Sequence, residues 1–208
     1  MNTLFSHVCV VTMDDRMSVW TDAFVGVTDG KISYLSKHAP EEKPDQIIDA
    51  TGMVLMPGLI NCHTHLPMQL LRGYADDLKL QEWLNDYIFP REDRLDGRCV
   101  RAATTLAVAE CLKFGVTSVS DMYYFCDDIC DVIAKSGMKA NISRGTSMFL
   151  GDDFDFEKFP ACQELVALKE KWHNYDGGRI KIEASIHAEY TSTYQLWDAL
   201  SEFCINEG

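Results

Sequence analysis

The sequence has no excess of basic residues. Its 208 residues include 19 lysines and arginines against 32 aspartates and glutamates, which gives a formal net charge of −13. Nucleic acids and anionic membrane surfaces both bind basic protein faces. The charge therefore argues against nucleic acid and against a membrane as the main partner. It favours solubility without indicating a substrate.

Long apolar runs are also missing. No run approaches the ~20 residues that a helix needs to span a bilayer. The start, MNTLFSHVCVVTMDDRM, has neither the basic stretch nor the apolar core of a secretory signal. The eight cysteines are scattered without a Cys-x-x-Cys pair, and most fall in apolar patterns. We expect them to be reduced core residues of a cytoplasmic protein.

The chain contains two kinds of pattern, which predict two domains. Residues 1–56 carry short β-rich runs, with turn signals such as Asp29-Gly30 between them and no helical period. From residue 57 to 208, strand-like runs alternate four times with helical patterns, one of which extends over residues 159–178. This alternation predicts parallel strands with right-handed crossovers. Four such units form either a small open sheet or half of an eight-unit barrel of ~250 residues.

Two histidines at the end of the first of these strands are the main candidate site. The segment LINCHTHLPM places His63 and His65 two residues apart, so both side chains face the same side of the strand. The carboxyl ends of parallel strands are where barrels and open α/β sheets bind ligands. Paired imidazoles in that position suit zinc, iron or nickel. The alternative is that the pair caps the strand and bonds local backbone.

Several segments together resemble the amidohydrolase superfamily. They are PGLINCHTHLPM, WLNDYIFPRE, GVTSVSDMYY and a strand ending near HAEYT, and the resemblance covers the whole chain. It is strongest to the branch that contains 5-methylthioadenosine/S-adenosylhomocysteine deaminases, guanine deaminase and triazine hydrolases. The fold that it implies is an α/β one: residues 57–208 as the first half of a metal-dependent (β/α)8 TIM barrel, and residues 1–56 as part of a small N-terminal β-sandwich.

The resemblance also implies a reaction and roles for particular residues. His63 and His65 would bind one divalent metal, with zinc favoured and iron or nickel as alternatives. Water would then attack a ring carbon that bears an amino group, and ammonia would leave. Glu92 matches a glutamate that contacts the nucleoside sugar, and Arg144 and His187 match substrate contacts. The alternatives are a solvated carboxylate, a surface arginine and a histidine that bonds backbone.

Other residues qualify this picture. Glu189 stands where the family has a proline after His187, which puts the local loop and the substrate class in doubt. Asp121 either orients a metal-bound histidine or caps the next turn. Lys181 lies six residues before His187 on the fourth strand, ~20 Å away. The resemblance implies that relatives with two metals bridge them by a carboxylated lysine on the fourth strand. Lys181 is too far from the His63/His65 end to take that role, so a single-metal site is favoured.

The family residues that complete the chemistry have no counterpart among these 208 residues. They are a third metal histidine, an acid/base glutamate and a late metal aspartate, so no catalytic residue is assigned here. We expect a nucleoside or heteroaromatic small molecule as substrate, and a second half-barrel or another copy of the chain as partner. The alternative functions are a guanine deaminase, a triazine-type hydrolase and a non-catalytic half-barrel that acts as an interaction module.

Overall fold

The computed structural model describes residues 1–151 and 153–207. The chain divides into two compact units, Met1–Gly58 and Leu59–Gly208. The division lies two residues after the expected one, because Leu59 is already the first residue of a strand. No helix in the described ranges is long and apolar enough to cross a membrane.

The first unit contains one five-stranded sheet. Strand β1 lies between antiparallel β2 and parallel β4, with β3 outside β2 and short β5 also paired to β1. The bounds are β1 Thr3–Val11, β2 Val19–Thr28, β3 Lys31–Ser36, β4 Gln46–Asp49 and β5 Val54–Leu55. Asp29 and Gly30 both have positive φ, as a tight hairpin turn requires. The expected second sheet of a sandwich stays a prediction.

The second unit is a four-stranded parallel sheet in the order β6-β7-β8-β9. Its strands are β6 Leu59–Thr64, β7 Val116–Tyr123, β8 Lys139–Thr146 and β9 Ile180–Ile186. Successive strands are neighbours, so each crossover returns the chain beside the strand it left. The parallel strands predicted from the sequence are confirmed.

Helices connect these strands and cover the sheet. Two short helices, α1 Leu80–Glu82 and α2 Phe89–Glu92, flank a π-helical turn at Trp83–Ile88. The crossover helices are α3 Gly97–Lys113, α4 Cys126–Ser136 and α5 Pro160–Trp172, with the single turn α6 Tyr175–Gly178 after α5. Helix α7 Tyr194–Glu207 follows the last strand. The core lies between sheet and helices, where Ile129, Ile133, Ile142 and Ile180 are fully buried.

One predicted helix is shorter than expected. The pattern over residues 159–178 predicts a single helix, but α5 ends at Trp172. His173 is extended and Asn174 takes a left-handed conformation, with φ of 62°. The ring of His173 accepts a hydrogen bond from the backbone N–H of Ile182, 3.1 Å away on β9. This tertiary contact outweighs the local helical pattern.

The strand that carries the histidines is largely uncovered. Every residue from Leu59 to His63 is exposed, and Ile60 keeps 68% of its surface accessible. Among the described strands, β6 is paired to β7 alone. An apolar parallel strand is normally covered on both faces, so β6 has unsatisfied packing and hydrogen-bonding capacity.

Candidate active site

The two histidine rings lie side by side at the carboxyl end of β6. Their centroids are 4.9 Å apart and their planes are inclined by 76°. His63 is exposed and His65 is half-buried. Nδ1 of His65 lies 2.6 Å from the carbonyl oxygen of Met122. Because a carbonyl can only accept, Nδ1 carries the proton, and Nε2 of His65 keeps a lone pair for a ligand.

Asp121 fixes the backbone on both sides of His65. Its Oδ1 accepts hydrogen bonds from the N–H of Leu66 and the hydroxyl of Thr64, both at 2.6 Å. The side chain is almost completely buried, and this burial raises the pKa of Asp121 to about 6. The sequence left open that Asp121 orients a histidine or caps the turn after its own strand, but these contacts are made instead to Thr64 and to the first residue of the turn after β6. Oδ2 is buried with no hydrogen-bond partner among the described residues.

The side chain of Glu92 is held by Tyr123, the last residue of β7. The hydroxyl of Tyr123 donates to Oε1 of Glu92 at 2.6 Å, and Tyr123 itself is buried. Partial burial raises the pKa of Glu92 above its ordinary value, and the hydrogen bond from Tyr123 opposes that rise. Glu92 is therefore an oriented carboxylate rather than the solvated one that its charged neighbours would suggest.

Arg144 lies at the end of β8 and is partly buried. Its guanidinium carbon is 4.7 Å from the centre of the Tyr124 ring, within the range of a cation–π contact. Its Nε donates to Oε2 of Glu164 on α5 at 2.6 Å, and Nη1 donates to the carbonyl of Gly145. Arg144 also lines a cavity, but it already has an anionic partner in Glu164.

His187 follows β9 and is fixed by a short turn. Its backbone N–H donates to the carbonyl of Thr146 at 2.8 Å, and its Nδ1 is 2.9 Å from the hydroxyl of Thr191. Burial lowers the pKa of His187, which favours the neutral ring. Glu189 begins the 3-10 turn Glu189–Thr191 that holds this geometry, so the loop closes without the family's proline.

Two adjoining cavities bring most of these side chains together. The larger, about 820 Å³, is lined by Glu92, Arg144 and His187. The smaller, about 170 Å³, is lined by His65, Glu92 and His187. His63 lines neither cavity and joins the group through its ring contact with His65.

The sequence interpretation missed three contributors. Tyr123 and Tyr124 follow Met122 at the end of the strand that carries Asp121, and this position was the available signal for them. Glu164 lies on a helix 20 residues beyond Arg144 and gave no signal of its own.

The donors fit a divalent metal in part. A catalytic zinc typically has three protein ligands, and nitrogen from histidine is a preferred one. His65 presents a free Nε2 beside the ring of His63. Within residues 1–151 and 153–207, no third histidine, cysteine or acid completes such a group. The two neighbouring imidazoles are thus the donors that this chain could contribute to such a site.

Comparison with known proteins identifies relatives of this chain. The sequence model of the amidohydrolase family matches residues 54–208. A 5′-deoxyadenosine deaminase of Methanosarcina acetivorans is 35% identical over 206 residues, which are 99% of this chain and 46% of the relative. A 5-methylthioadenosine/S-adenosylhomocysteine deaminase of Thermoanaerobacter pseudethanolicus is 34% identical over 191 residues, 92% of this chain and 44% of the relative. The chain thus spans less than half the length of either.

Solved structures show the same fold. An adenosine deaminase from Xanthomonas campestris with bound zinc superposes with a TM-score of 0.86 at 29% identity, covering 99% of this chain and 47% of that one. A triazine hydrolase variant superposes with a TM-score of 0.87 at 21% identity, covering 99% and 50%. At 21% identity, the similarity to the triazine hydrolase shows the fold alone.

Replacement of Tyr123 by phenylalanine tests how Glu92 is held. Without the donated hydrogen bond, burial acts unopposed, so we expect the pKa of Glu92 to rise further. A carboxyl 13C NMR titration of the complete, metal-free protein measures it. The raised pKa of Glu92 means that the folded protein favours the protonated carboxyl. The contribution of this group to the free energy of unfolding is therefore complete below the ordinary pKa of ~4.3, and it is lost as the pH rises through the folded pKa. Tyr123→Phe widens that pH window.

Tyr124→Phe is the matched control for this titration. The ring of Tyr124 contacts Arg144, and the hydroxyl that donates to Glu92 belongs to Tyr123. The control should leave the Glu92 titration close to that of the unmodified protein. An unchanged Glu92 pKa in Tyr123→Phe would contradict the proposed positioning.

Proposed function

Since this chain belongs to the amidohydrolase family, we propose that it forms part of a hydrolytic deaminase that acts on adenosine-type nucleosides. The observation that carries the proposal is the convergence of His65, Glu92 and His187 on one cavity at the carboxyl ends of the strands. Relatives at 34% and 35% identity are named as deaminases of such nucleosides. The protein would act in the cytoplasm, in keeping with eight free cysteines.

The metal in this proposal is one divalent ion, with zinc favoured over iron or nickel. His63 and His65 would supply two nitrogen ligands, and the related adenosine deaminase structure carries zinc. Such an ion supplies Lewis-acid activation of water for attack on the carbon that bears the amino group. Lys181 lies at the start of β9, where its amine donates to the side chain of Asn174. The histidines lie at the opposite, carboxyl end of the parallel strands, so the position of Lys181 supports a single-metal site.

The substrate contacts in this proposal come from three side chains. Glu92 would bind the sugar, because a carboxylate can accept hydrogen bonds from two ribose hydroxyls. Tyr123 donates to Oε1, so Oε2 remains for the ligand. Arg144 and His187 line the same cavity and would contact the rest of the nucleoside. His187, kept neutral by burial, can donate or accept without adding charge.

The remaining catalytic groups would come from further strands. The exposed β6 has an outer edge and apolar residues, Leu59 and Ile60, that a neighbouring strand would cover. We propose that residues 57–208 form the first half of a (β/α)8 barrel and residues 1–56 part of a β-sandwich. Further polypeptide or another copy of this chain would close the barrel. In the first case, the further polypeptide would carry the third metal histidine, the acid/base glutamate and the metal aspartate. A second copy of the chain would close the sheet without supplying them, because these 208 residues contain no counterpart.

An ammonia-release assay on the complete, zinc-loaded protein tests the function. We expect ammonia from methylthioadenosine, S-adenosylhomocysteine or adenosine, with kcat/KM at least ~10-fold above that for guanine, since a free base forgoes the charge-assisted bond to Glu92. Turnover of guanine alone, or chloride release from a chlorotriazine, would favour the alternative enzymes. Stoichiometric zinc without any turnover would favour a non-catalytic module.

Glu92→Gln sharpens that assay by removing one charge at the sugar contact. We expect KM for nucleosides to rise about 10- to 150-fold, the worth of a charge-assisted hydrogen bond, with a much smaller change for a free base. Glu82→Gln is the matched control, because Glu82 is exposed on the same helical segment. Equal weakening of both substrate types would show that Glu92 does not bind the sugar.

Removal of either histidine tests the metal assignment. In the complete protein, His63→Ala or His65→Ala should release most of the bound metal and nearly all activity, because a zinc site has few ligands to lose. Mass-spectrometric metal analysis measures the occupancy. His38→Ala, in an exposed loop of the first unit, is the control and should retain its metal. Full occupancy in both site variants would refute the assignment.

A further inference from the structure

Glu164 forms an ion pair with Arg144 at the wall of the larger cavity. Oε2 of Glu164 accepts from Nε of Arg144 at 2.6 Å, and both residues line the cavity of about 820 Å³. The side chains are 37% and 18% exposed, respectively, so a ligand in the cavity can reach the pair. A carboxylate on α5 is thus placed beside the one guanidinium among the lining residues.

The contacts of Arg144 leave it poorly able to bind a second carboxylate. Recognition of a carboxylate by arginine usually takes two parallel N–H bonds from one edge of the guanidinium. Nε is engaged by Glu164 and Nη1 by the carbonyl of Gly145. The ring of Tyr124 lies 4.7 Å away and blocks one face. Each edge therefore has at least one nitrogen already in use.

The charges around the cavity also disfavour the binding of a carboxylate. Its lining includes three carboxylates, those of Glu92, Asp93 and Glu164, against the single guanidinium of Arg144. His187 adds no compensating charge, because burial lowers its pKa and favours the neutral ring. An anionic group that entered would meet a wall of its own sign, which disfavours binding.

We propose that Glu164 is a specificity-determining residue that favours adenosine-type nucleosides with an uncharged 5′ substituent over those that carry a free carboxylate there. The inference rests on the proposed function. The two relatives described above differ in this group, since 5′-deoxyadenosine and methylthioadenosine end in uncharged groups and S-adenosylhomocysteine ends in an amino acid. Glu164 would reduce the affinity of the cavity for the third of these.

A zwitterionic end group is the competing occupant. Its ammonium would need Glu164 and its carboxylate would need Arg144, so it would have to separate the existing ion pair. In that case the carboxylate of Glu164 would assist S-adenosylhomocysteine, and its removal would weaken binding of that nucleoside. The two possibilities predict opposite signs for one substitution.

The test compares Glu164→Gln with the unmodified complete protein. Calorimetric titration of the metal-free proteins with 5′-deoxyadenosine, methylthioadenosine and S-adenosylhomocysteine measures binding without turnover. We expect the unmodified protein to bind the two uncharged nucleosides about 10-fold more tightly, and Glu164→Gln to remove most of that preference. The zinc-loaded proteins should show the same change in KM, with kcat nearly constant.

Two further variants complete the design. Glu170→Gln removes a carboxylate from the exposed face of the same helix and should leave the preference intact. Glu164→Asp keeps the charge and should retain most of it. An unchanged preference in Glu164→Gln, or weaker binding of S-adenosylhomocysteine, would overturn the inference. If nucleosides bind with the expected preference but release no ammonia, the proposed function fails and the inference stands; if no nucleoside binds, both fail.

Discussion

The hydrogen-bond register of β6, β7 and β8 determines which groups meet at the candidate site. It pairs Thr64 with Asp121 and Tyr123 with Arg144. The last three residues of β7 and the residue that follows the strand then each contact one component of the site. Asp121 fixes the backbone beside His65, Met122 accepts from its ring, Tyr123 orients Glu92, and Tyr124 lies against Arg144. A slip of one residue would turn these side chains to the other face of the sheet.

Burial of the site's carboxyl groups shifts their pKa values, and it also costs desolvation free energy. Asp121 and Glu92 both lie where desolvation raises the pKa of a carboxyl group. Donors from Leu66, Thr64 and Tyr123 offset that cost in part and fix the orientation of the two carboxylates. Electrostatic interactions are stronger in such partly water-excluded sites than in bulk solvent. The same groups that constrain the fold can therefore set substrate preference.

The sequence predicted the parts that depend on local pattern. Period-two spacing placed His63 and His65 on one face, and strand ends placed Arg144 and His187 beside a cavity. It could not predict that Tyr123 donates to Glu92 or that Glu164 pairs with Arg144, because those contacts depend on register and on how helices pack against the sheet. The early end of α5 has a similar origin, since a bond between His173 and β9 decides it.

A crystal structure of the complete protein with zinc and a non-hydrolysable adenosine analogue tests the proposed site most directly. We expect the Nε2 atoms of His63 and His65 to lie ~2.0–2.1 Å from the metal. We also expect the ribose hydroxyls to bind Glu92, with Tyr123 still donating to the same carboxylate. A metal held without these histidines, or a nucleoside bound away from Glu92, would contradict the proposed site.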